Sequence, residues 1–355
     1  MTLEDLGYRA EMETFRRDSD LGSFGVGRVI SEHKERYIVR SAKDEYEAEI
    51  VGSLRFSAHE RSDFPAVGDW VAISEYDDGK ALIHAVFPRK SLIERQAVGK
   101  YGEKQVIATN IDYALIVQAV DRDFNINRIE RYLTICYVSD INPVIILNKI
   151  DLIDESALAE IMHAVRKRIP QVPVVAVSNA SGSGIETLAS GLEKGKTYCM
   201  LGSSGVGKST LINNLSGNRL METGQISAST QKGRHITSHR ELFLLDQGGI
   251  LIDNPGMREV GITDSAGGLD RTFGAILELS GQCRYTDCTH MTEAGCAVIE
   301  ALDRGELDPL AYENYVKMER EKEHFEATVA ERRKKDRDFG KMVKNFKKGR
   351  NHNNY

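Results

Sequence analysis

No apolar run in the 355 residues approaches the roughly 20 that a membrane-spanning helix requires, so no span is expected. The opening Met1-Thr2-Leu3-Glu4-Asp5-Leu6 is acidic and lacks a basic stretch leading into an apolar one, which excludes a recognisable secretory signal and makes the cytoplasm the expected compartment. Cysteine is sparse, with five in the chain, and three of them (Cys283, Cys288, Cys296) stand close to His290. That grouping points to metal ligation rather than a disulfide framework, while Cys136 and Cys199 lie in apolar stretches and read as buried thiols. Positive charge is not in excess. The formal net charge of -6, spread evenly, would argue against a polyanionic partner, but the segment from Arg332 to Arg350 is strongly basic and the whole-chain figure misleads. There is no internal repeat.

What is present describes a globular chain, 41% hydrophobic and 28% charged, too long for one ordinary core. Residues 1–23 show no clear pattern and read as an N-terminal extension. From 24 to 96 the chain alternates short β-rich runs with turns: Gly25 to Ile30, Arg36 to Arg40, Tyr46 to Val51, Trp70 to Ile73 and Ala81 to Val86. Strands of this number and spacing suggest a small antiparallel barrel, with an OB-fold foremost and a structural β-module without ligand as the other reading. From 97 to 265 apolar strands (Ala114 to Val117, Val144 to Leu147, Val174 to Val177, Thr197 to Leu201, Gly249 to Ile252) alternate with helical stretches at Ile129 to Tyr137, Ala157 to Arg168 and Lys208 to Leu215. This is the signature of a parallel α/β sheet covered on both faces. Residues 266–344 read as helical and metal-binding, ending in a charged helix from about Pro309, and 345–355 as a basic flexible tail.

Gly202-Ser203-Ser204-Gly205-Val206-Gly207-Lys208-Ser209-Thr210 follows a strand and opens a helix, the context of a phosphate-binding loop. Its glycines let backbone N–H groups face phosphates, Lys208 supplies charge to the β- and γ-phosphates, and the Ser209 hydroxyl can ligate Mg²⁺. Asn148-Lys149-Ile150-Asp151 decides between bases. An Asp carboxylate at the end of such a motif accepts from the guanine N1–H and exocyclic amine, and adenine offers neither donor. Ser178-Asn179-Ala180 closes the next strand, where a second base-contacting loop belongs. Asp253-Asn254-Pro255-Gly256 has the Asp-x-x-Gly form, with Asp253 directed to the Mg²⁺ shell and the Gly256 N–H to the γ-phosphate. Thr237, with Ser238 as alternate, falls where a switch hydroxyl reaches Mg²⁺. Met257 follows Gly256 at the place where many GTPases have a water-orienting Gln. Slow hydrolysis by the chain alone is therefore expected unless another group orients the water, Gln247 and His235 being the candidates.

The base motif precedes the phosphate loop in the chain, so the nucleotide motifs are circularly permuted. A site built on strand ends tolerates this, because it does not depend on where the chain begins. Downstream, Cys283-x4-Cys288-x-His290-x5-Cys296 offers three thiolates and an imidazole, the closed tetrahedral set of a structural Zn²⁺.

Together with Gly68-Asp69-Trp70-Val71, Gln105 to Asp112 and Arg128-Ile129-Glu130-Arg131-Tyr132-Leu133, these motifs resemble one family, the ribosome small-subunit-dependent GTPase A family. The resemblance extends from about residue 24 to 320. It implies an N-terminal OB-fold, a permuted GTPase (GTP and water to GDP and phosphate), a C-terminal zinc domain, and a role in late maturation of the small (30S) ribosomal subunit, which stimulates turnover. The sequence departs from the family at two places. After Gly-Arg-His the usual three threonines are Ile236-Thr237-Ser238, and members commonly carry His where Gln247 stands. Independently of the resemblance, an OB-type barrel suits nucleic acid and the basic residues Arg332, Arg333, Lys334, Lys335, Lys344, Lys347, Lys348 and Arg350 would neutralise RNA phosphates; with the resemblance, the RNA is expected to be rRNA. A GTP-dependent RNA-binding switch with negligible hydrolysis is the alternative, an ATPase is disfavoured by Asp151, and a monomer is expected.

Overall fold

The computed structural model describes residues 1–33, 35–96, 104–121, 124–217, 241–253 and 267–323. Thr237, Ser238, His235, Gly256 and the basic segment beyond Arg332 lie outside these residues.

Five strands, β1 (Gly25–His33), β2 (Arg36–Ser41), β3 (Glu45–Ile50), β4 (Trp70–Asp77) and β5 (Lys80–Val86), form the barrel. Their order is β1-β2-β3-β5-β4, and β4 pairs back onto β1, which closes the barrel. All of these pairings are antiparallel except β3 with β5, which is the arrangement of an OB-fold. Alternation along β3, with Tyr46, Ala48 and Ile50 inward and Glu45, Glu47 and Glu49 outward, is the period-two pattern a one-sided barrel wall demands. Tyr37, Val39, Val71 and Ile83 complete the barrel core.

β6 (Leu92–Gln96) and β7 (Lys104–Thr109) make a separate two-stranded antiparallel pair, and the division expected at 96/97 falls between its two strands. Beyond it lie β8 (Tyr113–Ala119), β9 (Asn142–Asn148), β10 (Val174–Ala176), β11 (Thr197–Leu201), β12 (Glu241–Leu244) and β13 (Ile250–Asp253). Their order is β10-β9-β8-β11-β13-β12, parallel throughout except for β12. The chain-later strand β11 sits at the centre and its successors go one way while β8, β9 and β10 go the other, which is how a permuted sheet keeps its geometry. β12 also pairs with β1 through Ser31 and Glu241, so barrel and α/β sheet share one eleven-stranded sheet.

The helices follow their local signals. α1 (Ala10–Asp18) and α2 (Gly52–Ser57) belong to the barrel half; α3 (Ile126–Val138), α4 (Glu155–Arg168), α5 (Ile185–Ser190) and α6 (Lys208–Ser216) cover the α/β sheet. Asn125 caps α3 by accepting from the Asn127 N–H, and Ile129, Tyr132, Leu133 and Cys136 place a buried stripe at helical spacing. Asp154 caps α4 by accepting from the Ala157 N–H, and Arg166, Lys167 and Arg168 oppose the dipole in its last turn. After these come α7 (Gly268–Thr272), α8 (Gly274–Ser280), α9 (Ala297–Asp303) and a helix over 309–323, α10. Leu269, Phe273, Ile276, Val298, Ala301 and Met318 form their core. Among the described residues no helix is long and apolar enough to cross a membrane.

Two joints hold the parts together. The N-terminal segment, which gave no sequence signal, packs Leu6, Tyr8 and Phe15 against Trp70 and Phe87. There the fully buried Arg28 donates to Leu6 O (2.6 Å), Gly68 O (3.2 Å), Asn110 O (3.3 Å) and Thr197 Oγ1 (2.9 Å), linking extension, barrel, the end of the β6–β7 pair and β11. At the other joint α3 receives the C-terminal helices. Arg131 makes a bidentate pair with Glu321 at 2.7 Å, and buried Glu130 accepts from Arg168 (2.6 Å) and from Asn314 (2.5 Å).

Candidate functional site

The carboxyl ends of the parallel strands are where loops from neighbouring strands converge, and the described parts of the permuted motifs fall there. The Asn148 motif ends β9, Ser178 follows β10, the phosphate loop follows β11, and Asp253 is the last residue of β13. Gly202 leaves β11 with φ +151, and a Cβ there would lie 2.4 Å from Val117 O on β8. Glycine is therefore required for the loop to pass over the neighbouring strand end. Gly207 (φ +97) closes the loop and α6 begins at Lys208, leaving the first N–H groups of that helix directed across the loop. Lys208 Nζ spans the loop, donating to Gly202 O and Ser203 O at 2.8 Å each.

The base-side residues gather around this loop. Buried Asn148 donates Nδ2 to Val206 O at 2.7 Å, so the base motif is physically tied to the phosphate loop. Lys149 takes a left-handed conformation (φ +65) and pairs with Asp121 at 2.9 Å. Ser178 Oγ donates to Asp151 Oδ1 at 2.5 Å, which orients the carboxylate of a residue otherwise exposed. Asn179 lies beside Gly207, and Ala180 is exposed next to it. Ser209 and Thr210 are half-buried in the first turn of α6, and Ser203, Ser204 and Gly205 form the outer rim of the loop.

Gln247 is not brought to this site. It is exposed in the turn between β12 and β13, at the end of the hairpin opposite Asp253. The intervening strand, at about 3.3 Å per residue, sets it on the order of 10 Å or more away. The hairpin register fixes this: Glu241 pairs with Asp253 at the site end, while Leu244 pairs with Ile250 next to the turn. A glutamine before a glycine pair reads in sequence like a loop residue near the Asp-x-x-Gly motif, and only the strand direction reveals that it faces away.

The second cluster is formed by Cys283, Cys288, His290 and Cys296, whose ligand atoms all lie within 4.8 Å of one another. The sulfurs of Cys283 and Cys296 are 3.9 Å apart and each is 3.5 Å from His290 Nδ1. A tetrahedron of Zn–S bonds about 2.3 Å long has an edge of about 3.8 Å, so these residues fit zinc, with Nδ1 as the imidazole ligand. The other ring nitrogen, Nε2, meets Ser280 Oγ at 3.0 Å, and the His290 carbonyl accepts from Tyr312 at 2.6 Å. Glu293 accepts from the N–H groups of Thr289, Met291 and Thr292 and holds the ligand loop in shape. Burial raises the Cys283 thiol, but the amide N–H groups of Ala297 and Val298 outweigh it and hold it below its ordinary value; burial and the two neighbouring sulfurs push Cys288 up to about 11.

Comparison with known proteins agrees with this geometry. The RsgA GTPase family model matches residues 86–263. A protein of Opitutus terrae named small ribosomal subunit biogenesis GTPase RsgA is 43% identical over 333 residues, covering 90% of each chain. The chain belongs to the RsgA GTPase family. A Bacteroides thetaiotaomicron relative named small ribosomal subunit biogenesis GTPase RsgA 1 is 40% identical over 325 residues, 91% of this chain and 90% of the relative. The crystal structure of YjeQ from Thermotoga maritima superposes with a TM-score of 0.64 at 28% identity, over 84% of this chain and 98% of that one. The ABC transporter model also matches, over 185–350, a stretch that contains the phosphate loop but not the Asn148 to Asp151 motif. Family membership makes this chain a GTPase, with a permuted P-loop domain behind an OB-type barrel.

Proposed function

We propose that this GTPase acts in late maturation of the small ribosomal subunit, binding the subunit's rRNA in its GTP-bound form and leaving when GTP is hydrolysed. The observation that carries the nucleotide assignment is the tie between Asn148 and Val206 O, which brings the guanine-reading motif against the phosphate loop at the carboxyl ends of the strands. The partner is the one named for the relatives from Opitutus and Bacteroides.

In this reading Asp151, steadied by Ser178, accepts from the guanine edge, with Lys149 and the Ser178-Asn179-Ala180 loop framing the base. Gly202 to Gly207 and the start of α6 cradle the phosphates, and Lys208 exchanges its loop carbonyls for phosphate oxygens. Mg²⁺, bound with the nucleotide, neutralises charge that develops between the β- and γ-phosphates. Ser209 and Thr237 would be its protein ligands, Asp253 would orient its water shell, and the Gly256 N–H would serve the γ-phosphate. With Gln247 turned away, His235 or a group of the subunit is left to orient the attacking water, which fits slow turnover by the chain alone. Zinc would be held by Cys283, Cys288, His290 and Cys296 and staple the helices around it. The OB-type barrel, the zinc domain and the basic segment are the rRNA-contacting parts, and the protein works in the cytoplasm as a monomer.

Replacing Asp151 with Asn tests the site and sedimentation tests the partner. Asp151→Asn should lower GTP affinity at least tenfold and favour xanthosine triphosphate, while wild-type protein should co-sediment with small subunits only with a non-hydrolysable GTP analogue. Unchanged base preference, or sedimentation indifferent to nucleotide, would contradict the respective half of the proposal.

A further inference from the structure

We infer that Asn179 and Asn214 form a bridge that makes the base-reading loop and the phosphate loop move as one body, so that guanine and phosphates are gripped cooperatively. The inference rests on the nucleotide-site assignment above, gives Asn179 of the base-framing loop a positioning role, and adds Asn214 to it.

Three amide side chains link four segments. Asn148 Nδ2, at the end of β9, donates to Val206 O at 2.7 Å, while its Oδ1 accepts from the Asn179 N–H at 3.4 Å. Asn179, after β10, donates Nδ2 to Gly207 O at 2.9 Å. Asn214, a full turn and more into α6, then donates Nδ2 to both Asn179 O (3.3 Å) and Asn179 Oδ1 (3.2 Å). A neutral carboxamide is the group that can do this, since it donates through nitrogen to one partner while accepting through oxygen from another. An aspartate at 179 would have no donor for Gly207 O.

The phosphate loop is shaped to receive the bridge. A Cβ at Gly207 would lie 2.4 Å from Asn148 Nδ2 and 2.8 Å from Asn179 Nδ2, so both amides occupy space that only glycine leaves free. On the base side, the same loop carries Ser178, which holds the Asp151 carboxylate. A displacement of Asn179 therefore reaches both the guanine-reading carboxylate and the carbonyl immediately before Lys208. Neither Asn179 nor Asn214 needs to touch nucleotide for this to act. Their role is to remove relative motion of two loops that GDP spans and that pyrophosphate does not.

The test uses full-length protein with fluorescent GDP, measuring release rate by chase and pyrophosphate affinity by competition. Asn179→Ala should release GDP about two- to tenfold faster, the net weight of about one amide hydrogen bond, with pyrophosphate affinity unchanged. Asn214→Ala, on the exposed face of α6 and so compatible with folding even if the first variant is not, should give a smaller effect in the same direction. The double variant should release GDP faster than wild type by less than the product of the two single effects, because Asn179→Ala already removes the Asn214 bond to Oδ1 and leaves only the one to the main-chain carbonyl. Wild-type release from both single variants, or an equal loss of pyrophosphate and GDP affinity, would overturn the bridge. Failure of the wild-type protein itself to bind GDP would instead overturn the site assignment beneath it.

Discussion

Replacing Arg28 with Met removes the buried guanidinium at the first joint while keeping a side chain of similar length. Four acceptors lose a donor. Gly68 O keeps another, since Asn110 Nδ2 reaches it at 3.1 Å, and Thr197 Oγ1 is a hydroxyl able to reorient. Leu6 O and Asn110 O have no other donor among the described residues. An orphaned buried carbonyl costs about 1–3 kcal/mol, so the two together amount to about 2–6 kcal/mol. Relief of the desolvation that pulls the Arg28 guanidinium down to about 10 offsets part of this, leaving a net loss of about 3 kcal/mol. Trp70 is the single tryptophan of the chain and lies under the guanidinium, 5.6 Å from ring centroid to Arg28 Cζ, so its fluorescence reports the joint directly. Urea unfolding followed at Trp70 should shift to lower denaturant, and limited proteolysis should release the first residues sooner. Arg28→Lys should fall between wild type and Arg28→Met, because one ammonium cannot serve acceptors on four segments. A loss under about 1 kcal/mol with unchanged proteolysis would refute the reasoning.

Asp112 is buried and opposed by that burial, yet Arg9, the Thr197 N–H (2.9 Å) and Lys90 (3.1 Å) outweigh it and hold its carboxyl below the ordinary value. A depressed folded value means that its contribution is complete above the unfolded carboxylate pKa, about 3.9, and is lost as pH falls through the folded one. Asp112→Asn should therefore lower the melting temperature at neutral pH, by about 2 kcal/mol of stability, and narrow its gap to wild type below about pH 4; parallel acid limbs would count against this. For the metal cluster, a chromogenic chelator should draw about one equivalent of zinc from each denatured chain, and Cys288→Ser should hold far less. Absence of zinc in freshly purified wild-type protein would contradict that assignment.

The parts legible in sequence are those written in short-range spacing. The alternation in Tyr46 to Ile50, the glycines and Lys208 of the phosphate loop, Asn148 to Asp151 and the cysteine spacing each specify their own geometry within a few residues. The parts that were not legible depend on partners far apart in the chain. Arg28 and Thr197 are 169 residues apart, and Arg131 and Glu321 are 190 apart, so neither joint has a local pattern. The N-terminal segment has no strong periodicity because only a few side chains, such as Leu6, Tyr8 and Phe15, are used for docking. The position of Gln247 is not legible for the same reason, as strand polarity, not proximity in sequence, decides which end of a hairpin meets the nucleotide. Asn214 looks like an ordinary polar helix residue until its two bonds to Asn179 are seen.

The central claim, a guanine-nucleotide site whose turnover is completed by the small ribosomal subunit, is tested most directly by GTP hydrolysis at fixed salt, with and without isolated small subunits and with Lys208→Ala as control. The account predicts slow turnover alone, strong stimulation by subunits, and loss of both in the variant. Equal turnover with and without subunits, or stimulation that survives Lys208→Ala, would contradict it.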